Sequence, residues 1–199
     1  MLEQFSEEKS RALENPRIMG VALFVIDEYG NTLVFQNNQT KEATQKVRGQ
    51  LTVPAETLEA EERLSKDVLP RTIIEEVGYI HSAKPIQRGI IRMYTPGASI
   101  GVICLEIPTT RASVNINPKD FGEVSNPRWV PLADIDNRMM RIGSWDIPLF
   151  RSPLKEGAQN ILKARAGERF PQIQTVNCVL PAELFKFLKQ NPGPVYSVK

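Results

Sequence analysis

Two adjacent glutamates, Glu75 and Glu76, are the residues whose types and spacing are best suited to chemistry. They lie in the stretch RTIIEEVGY, residues 71–79, shortly after Arg71. On a helix, positions 72, 75 and 76 share one face, so carboxylates crowded there repel each other. A hard divalent cation such as Mg²⁺ would neutralise them through oxygen ligands. The alternative is a pair of solvated glutamates at the end of an ordinary helix, with Arg71 or a lysine offsetting their charge.

The sequence around this stretch resembles the Nudix box, which spans residues 49–79 here. The family pattern is Gly, five residues, Glu, seven residues, then Arg-Glu-aliphatic-x-Glu-Glu-x-Gly-aliphatic. The stretch RTIIEEVGY matches it at the Arg, at the first Ile, at both glutamates and at the Gly, and VPAE stands where the family has LPGG. A hairpin containing VALFVID precedes the box, and FGEVSNPRWVPLADI (121–135) is similar to a later family segment that carries another metal-binding Glu. The resemblance covers residues 18–165.

The resemblance implies a fold, an activity and a set of site residues. The fold is α/β, a Nudix-like α/β/α sandwich with mixed sheets and a catalytic-type helix. The activity is hydrolysis of a pyrophosphate bond in a nucleoside diphosphate-linked substrate, with Mg²⁺ or Mn²⁺ as cofactor. Glu75 and Glu76 would bind the metal, Arg71 would orient a carboxylate, and Glu123 is the best match for the downstream metal-binding Glu.

The box departs from the family pattern at four places. Thr72 replaces the first Glu of the Arg-Glu pair, and its neutral hydroxyl is a poor substitute for a carboxylate. Glu56 replaces a Gly of the loop, and counting five residues on to Glu62 leaves eight rather than seven residues before Arg71. Pro70 falls inside the expected helix unless a shortened helix begins there. Glu56 could supply the carboxylate that Thr72 lacks, or it could be a solvated loop residue.

Three interpretations therefore stand beside each other. The first is a metal-dependent hydrolase, favoured by the clustered charge of Glu75, Glu76 and Glu123. The second is a catalytically silent domain of the same fold that binds a nucleotide or a protein partner, favoured by Thr72. The third is an unrelated helix–sheet domain with an accidental resemblance.

Composition limits the partners and the compartment. The 199 residues carry a formal charge of +2, which does not indicate nucleic acid or an anionic membrane as a partner. Two distant cysteines argue against a disulfide framework or a zinc site. The apolar runs are strand-sized, and the acidic start lacks the features of a signal peptide. We expect a cytoplasmic protein with a small-molecule nucleotide-type substrate and, as one possibility, a homodimer.

The elements that must position these residues alternate between strands and helices. Strands are predicted at 18–27, 32–36, 46–55, 86–95, 99–107 and 128–132, and helices at 1–14, 59–77, 152–167 and 181–190. Ser152 is a plausible N-cap of the third helix, and residues 191–199 are expected to be a loose tail. The predicted division is an N-terminal extension (1–17), a Nudix-like domain (18–167) and a C-terminal extension (168–199).

Basic residues alternate along the predicted strands. Lys46, Arg48, Arg88 and Arg92 could each face a diphosphate or simply water.

Overall fold

The structure is a computed structural model. It describes residues 18–59, 62–81, 84–95, 98–117, 122–191 and 196–198, and the predicted helix at 1–14 lies outside this part of the chain.

Strands dominate the described residues. They are β1 (Ile18–Ile26), β2 (Asn31–Asn37), β3 (Leu51–Thr52), β4 (Ala55–Thr57), β5 (Gly78–Ile80), β6 (Ile86–Thr95), β7 (Ala98–Pro108), β8 (Val114–Ile116), β9 (Val124–Pro131), β10 (Met139–Ile142), β11 (Trp145–Pro148), β12 (Ile173–Asn177) and β13 (Tyr196–Val198).

The helices are fewer. They are α1 (Leu69–Thr72), with a π turn on either side (Leu64–Val68 and Ile73–Val77), α2 (Ser152–Arg165) and α3 (Ala182–Gln190). Short 3₁₀ turns lie at Glu42–Thr44, Arg111–Ser113 and Leu132–Asp134.

A mixed sheet forms the centre of the molecule. Its strand order is β12-β6-β7-β1-β2-β3, with β4 added to β1 and β9 added to β2. The β1–β7 and β12–β6 pairs are parallel, and the other pairs are antiparallel. Strand β1 therefore lies at the centre and supports both sides of the sheet.

Alternating residues of β1 fill two separate hydrophobic cores. Phe24 and its neighbours of the same parity pack with α2 on one face. Val21, Leu23 and Val25 pack with the helical segment 64–77 on the other face. A sheet with helices on both faces confirms the predicted α/β/α sandwich with a mixed sheet.

Several predicted elements differ in detail. The strand expected at 46–55 is reduced to β3 and β4. Gly49, with a positive φ of 94°, precedes β3, and Pro54, which lacks an N–H for the ladder, lies between β3 and β4. The N-cap of α2 is Arg151, so Ser152 is already helical. The tail expected to be loose contains β13, which pairs with β10.

The boundaries of the predicted extensions stay a prediction. From residues 168–199, β12 joins the central sheet and α3 contributes to the larger core. Within the described ranges, we find no helix that is long and apolar enough to span a membrane.

Candidate active-site groove

A groove of about 310 Å³ opens beside the first half of β1. Three carboxylates line it: Glu56 on β4, Glu76 on the π turn Ile73–Val77, and Glu123 directly before β9. Three basic side chains line the same groove: Lys41, Lys46 and Arg151. Part of the wall is apolar and comes from β6 and β7, with Met93, Ile100 and Val102. The groove therefore offers oxygen ligands, cations and an apolar surface within one space.

The two π turns determine which glutamate of the helical segment reaches the groove. In each turn a backbone N–H bonds the carbonyl five residues earlier: Leu69 bonds Leu64, and Gly78 bonds Ile73. A π turn places more residues in each turn than an α-helix, so the α-helical spacing of 72, 75 and 76 no longer holds. Glu76 lines the groove with 7% of its surface exposed, whereas the half-buried Glu75 is not among the lining residues.

The first π turn also accounts for Pro70 and for the extra residue of the box. Pro70 is the second residue of α1, within one position of the predicted helix start. Because the π turn Leu64–Val68 replaces the regular α-helical ladder directly before it, the missing N–H of Pro70 falls where the hydrogen-bond pattern changes. A π turn holds one residue more than an α turn, so the turn Leu64–Val68 takes up the extra residue before Arg71.

Thr72 is fully buried, and its hydroxyl donates a hydrogen bond to the carbonyl of Val68 at 2.8 Å. The side chain therefore bonds its own helix rather than a group in the groove. Whether Thr72 takes part in the site as an additional residue stays a prediction.

Arg71 joins the helical segment to β4. Its Nη1 lies 3.3 Å from Glu56 Oε1, and its Nη2 donates to Glu62 Oε2 at 2.8 Å and to the carbonyl of Thr57 at 2.9 Å. Partial desolvation opposes the charge of Arg71, but Glu62 and Glu56 hold the pKa of the guanidinium above its ordinary value. A hydrogen bond from the backbone of Glu59, and then Arg71, keeps the pKa of Glu62 low. Arg71 thus orients two carboxylates, and one of them lies at the groove.

Glu123 is bound by two lysines. Its Oε1 lies 2.5 Å from Lys41 Nζ and its Oε2 lies 3.3 Å from Lys46 Nζ. The hydrogen bond from Lys41, and then the charge of Lys46, lower the pKa of Glu123 below its usual range. Burial lowers the pKa of Lys46, while Glu123 opposes that shift. The carboxylate is therefore ionised at neutral pH.

The predicted residues come together only in part. Glu56, Glu76 and Glu123 share the groove, Glu62 lies behind it on Arg71, and Glu75 lies outside its lining. In the described part of the chain, no three His, Cys, Asp or Glu side chains lie close enough together to hold a metal ion. The structure as it stands has carboxylates along one groove rather than a preformed cluster.

Sequence reasoning missed two residues of the groove, Lys41 and Arg151. It left open whether Lys46 faces a diphosphate or water. Arg151 had a usable signal, since it directly precedes the Ser-Pro start of α2. Lys41 had none. Of the other basic residues considered, Arg88 pairs with buried Glu106 at 2.6 Å, and Arg48 is exposed.

Comparison with known proteins rests on structure alone, because no protein-family model and no curated protein sequence matches this chain. The ORF135 protein of E. coli is similar with a TM-score of 0.55 and 13% identity, covering 78% of this chain and 96% of that one. The MutT protein from Methanosarcina mazei Go1 has a TM-score of 0.51 and 20% identity, covering 73% and 95%.

A third similar structure was solved with a ligand. The NUDIX domain of Shewanella oneidensis NrtR, complexed with ADP ribose, has a TM-score of 0.50 and 19% identity, covering 73% of this chain and 88% of that one. The chain has a Nudix fold. On this Nudix fold the groove lies between the helical segment 64–77 and β1. At these sequence identities, the similarity concerns the fold only.

Proposed function

We propose that the groove binds a nucleoside diphosphate derivative and hydrolyses its pyrophosphate bond with Mg²⁺ or Mn²⁺. The observation that carries this proposal is the Arg71–Glu56 ion pair, which fixes a carboxylate at the groove that Glu76 also lines. Glu56 thereby supplies the negative charge that Thr72 does not. Glu56 and Glu76 place two carboxylates in the wall of one groove, and such clustered negative charge favours a ligand of opposite charge.

The donor set fits a hard divalent cation in its chemistry. Carboxylate oxygens are the ligands that Mg²⁺ prefers, and Glu56, Glu76 and Glu123 would hold the ion. When bound, the ion neutralises the diphosphate and lowers the pKa of a coordinated water. Glu75 adjoins Glu76 in the sequence, and its part in metal binding stays a prediction.

Arg71 and the apolar wall of the groove would support substrate binding in two different ways. Arg71 holds Glu56 in place through its three bonds to Glu56, Glu62 and Thr57. Met93, Ile100 and Val102 offer an apolar surface for the organic part of the ligand. Mixed apolar and polar lining of this kind is typical of sites for small molecules.

Binding without hydrolysis is the second candidate. Two observations favour it: Thr72 is neutral and buried, and both oxygens of Glu123 are already bonded by lysines. A ligand could then lie in the groove while no complete metal centre forms.

The deciding experiment measures turnover and binding together. The chain is incubated with Mg²⁺ or Mn²⁺ and a panel of ADP-ribose, nucleoside diphosphate sugars, dinucleotides and nucleoside triphosphates. The variants are Glu56→Gln, Glu76→Gln and Glu75→Gln, and the matched control is Glu168→Gln, which changes an exposed residue just after α2. We expect turnover by the parent and losses in Glu56→Gln and Glu76→Gln that are at least as large as the roughly 10- to 100-fold typical of residues that support a metal ligand.

The results separate the candidates. Ligand binding by the parent without turnover supports the second candidate. A parent that neither turns over nor binds any compound of the panel contradicts both. Equal losses in Glu75→Gln and Glu76→Gln would give Glu75 the role of a ligand despite its place outside the groove lining.

A further inference from the structure

One side of the groove is basic. Lys41 and Lys46 have 42% and 16% of their side-chain surface exposed, and Arg151 lies beside them in the lining. All three cations line the same space, and Lys41 and Lys46 reach the same carboxylate, that of Glu123. Bringing like charges together in a partly desolvated space is unfavourable unless an anion is bound there.

Arg151 is the least compensated of the three. Its Nη2 donates to the carbonyl of Thr44 at 2.9 Å, and burial lowers the pKa of its guanidinium. Among the described residues, no carboxylate forms an ion pair with it. Arg151 is also the N-cap of α2, a helix of 14 residues, so the positive end of the helix dipole adds to the same region.

Glu123 provides one negative charge for the two lysines. Glu56, by contrast, pairs with Arg71. Among the described residues, Glu123 is the one carboxylate that forms ion pairs with any of these three cations. The cations line a space that is large enough for a small ligand.

We propose that Lys41, Lys46 and Arg151 form an anion site that binds a phosphate group, and that Glu123 is its internal counterion until the phosphate displaces it. The proposal rests on the proposed function for the class of ligand, a nucleoside diphosphate derivative. The anion site itself requires neither a metal ion nor hydrolysis. Displacement frees the carboxylate of Glu123 at the moment when the phosphate arrives, so the lysines exchange one anion for another.

This exchange predicts an effect of replacing Glu123 on phosphate affinity that the loss of a metal ligand would not have. Without metal, the carboxylate competes with the phosphate for Lys41 and Lys46, so Glu123→Gln should tighten phosphate binding. A residue that acts only as a metal ligand would leave metal-free binding unchanged. A residue that only maintains the local structure would weaken it.

The probe is inorganic pyrophosphate, titrated into the full chain by calorimetry in low salt with EDTA present. The variants are Glu123→Gln, Lys46→Met and Arg151→Met. Their controls remove the same charge from exposed positions: Glu168→Gln, Lys163→Met and Arg169→Met. Thermal melting shows whether each variant is folded, and Lys46→Met decides the matter if Arg151→Met does not fold.

We expect the parent to bind pyrophosphate and Glu123→Gln to bind it several-fold more tightly. Lys46→Met and Arg151→Met should bind about tenfold more weakly, as expected for the loss of one charge-assisted hydrogen bond. The controls should stay within about twofold of the parent, since exposed charges are screened.

Three results would overturn the anion site: no pyrophosphate binding by the parent or Glu123→Gln, weaker binding by Glu123→Gln, or equal losses in Lys163→Met and Lys46→Met. The proposed function fails separately. Metal-free binding with the predicted signs, but no turnover with Mg²⁺, would leave the anion site standing and remove the hydrolase. Turnover that Lys46→Met leaves unchanged would support the hydrolase and remove the anion site.

Discussion

Arg71 Nη1 lies 3.3 Å from Glu56 Oε1, and this ion pair joins the helical segment 64–77 to β4, the strand that borders the groove. The family pattern does not predict this ion pair, because Glu56 stands where the pattern has a Gly. The pair makes the position of a groove carboxylate depend on a guanidinium outside the groove lining.

Replacing Arg71 with Lys tests this dependence. A lysine keeps the charge but cannot bond Glu56, Glu62 and the carbonyl of Thr57 together, because it lacks the planar fork. We expect Mg²⁺ affinity, and any turnover, to fall by about 10- to 100-fold. The control is Arg63→Lys, which changes an exposed arginine paired with Asp67. Parent-like affinity in Arg71→Lys would show that Glu56 needs no such support.

Replacing Thr72 with Glu tests whether a carboxylate at this position can restore the family pattern. The sequence alone suggests a slight loss of stability without metal and a gain with it. Because Thr72 is fully buried, we expect instead a loss of about 3–5 kcal/mol in the free energy of unfolding, from an uncompensated buried charge.

The matched control for Thr72→Glu is Ile74→Glu, since Ile74 is 43% exposed on the same helical segment. Its effect should be within about 0.5 kcal/mol of the parent. Urea denaturation with and without Mg²⁺ measures both. Recovery of Thr72→Glu by Mg²⁺ to parent stability would mean that the side chain reaches the metal after all.

Replacing Gly157 with Ala tests how closely α2 approaches the sheet. A Cβ at this position would overlap the ring of Phe24 at Cζ and Cε2, and Phe24 is fully buried in the core. Alanine normally stabilises a helix relative to glycine, yet here we expect a loss of about 1–3 kcal/mol from overpacking. Urea denaturation measures it, and the double variant with Phe24→Leu should recover part of the loss. A stabilised Gly157→Ala would contradict the close approach.

Replacing Asp27 with Asn tests the buried carboxylate at the end of β1. The carboxylate accepts hydrogen bonds from the backbone N–H groups of Tyr29 and Asn31, and from Arg111 Nε at 2.7 Å. Burial opposes its charge, but the bonds from Asn31 and then Arg111 hold the pKa of Asp27 below its ordinary value of 3.8. Because the folded-state pKa is the lower one, Asp27 stabilises the fold above the unfolded value, and this contribution disappears as the pH falls through the folded value.

We therefore expect Asp27→Asn to lose about 1–3 kcal/mol at neutral pH. Its melting temperature should fall less than that of the parent as the pH is lowered from 5 to about 2. The control is Asp134→Asn at an exposed position, which should follow the parent. Parallel pH profiles for the parent and Asp27→Asn would exclude the carboxylate as a source of acid sensitivity.

Local patterns in the sequence predicted the elements that local interactions determine. The turn EYGN gave the β1–β2 hairpin, and SPLKEGAQNILKARAG gave α2, within two residues of its end. In both cases, turn residues and helical periodicity act over a few neighbouring positions. The mixed sheet between helices also followed from the family resemblance, and the structure confirms it.

Other features depend on contacts that no local pattern encodes. The parallel pairing of β12 with β6 and the approach of Lys41 to Glu123 join residues that are distant in the sequence. Glu75 lies outside the groove lining on the π turn Ile73–Val77, although α-helical spacing places both glutamates on the face of Thr72. Which carboxylates bind metal, and whether the chain forms a homodimer, stay predictions.

The C-terminal end of the helical segment 64–77 has a consequence for the kinetics of folding. Gly78 has a φ of 120° and pairs with Ile116, and the carbonyl of Val77 accepts a hydrogen bond from Asn117 at 2.8 Å. A Cβ on Gly78 would lie 2.5 Å from the carbonyl oxygen of Asn115. The helix thus acquires its native end only when β8 has docked, and such long-range contacts form slowly. We expect the turn that carries Glu76 to be ordered after the folding transition state, so that weakening this junction accelerates unfolding and leaves the folding rate almost unchanged.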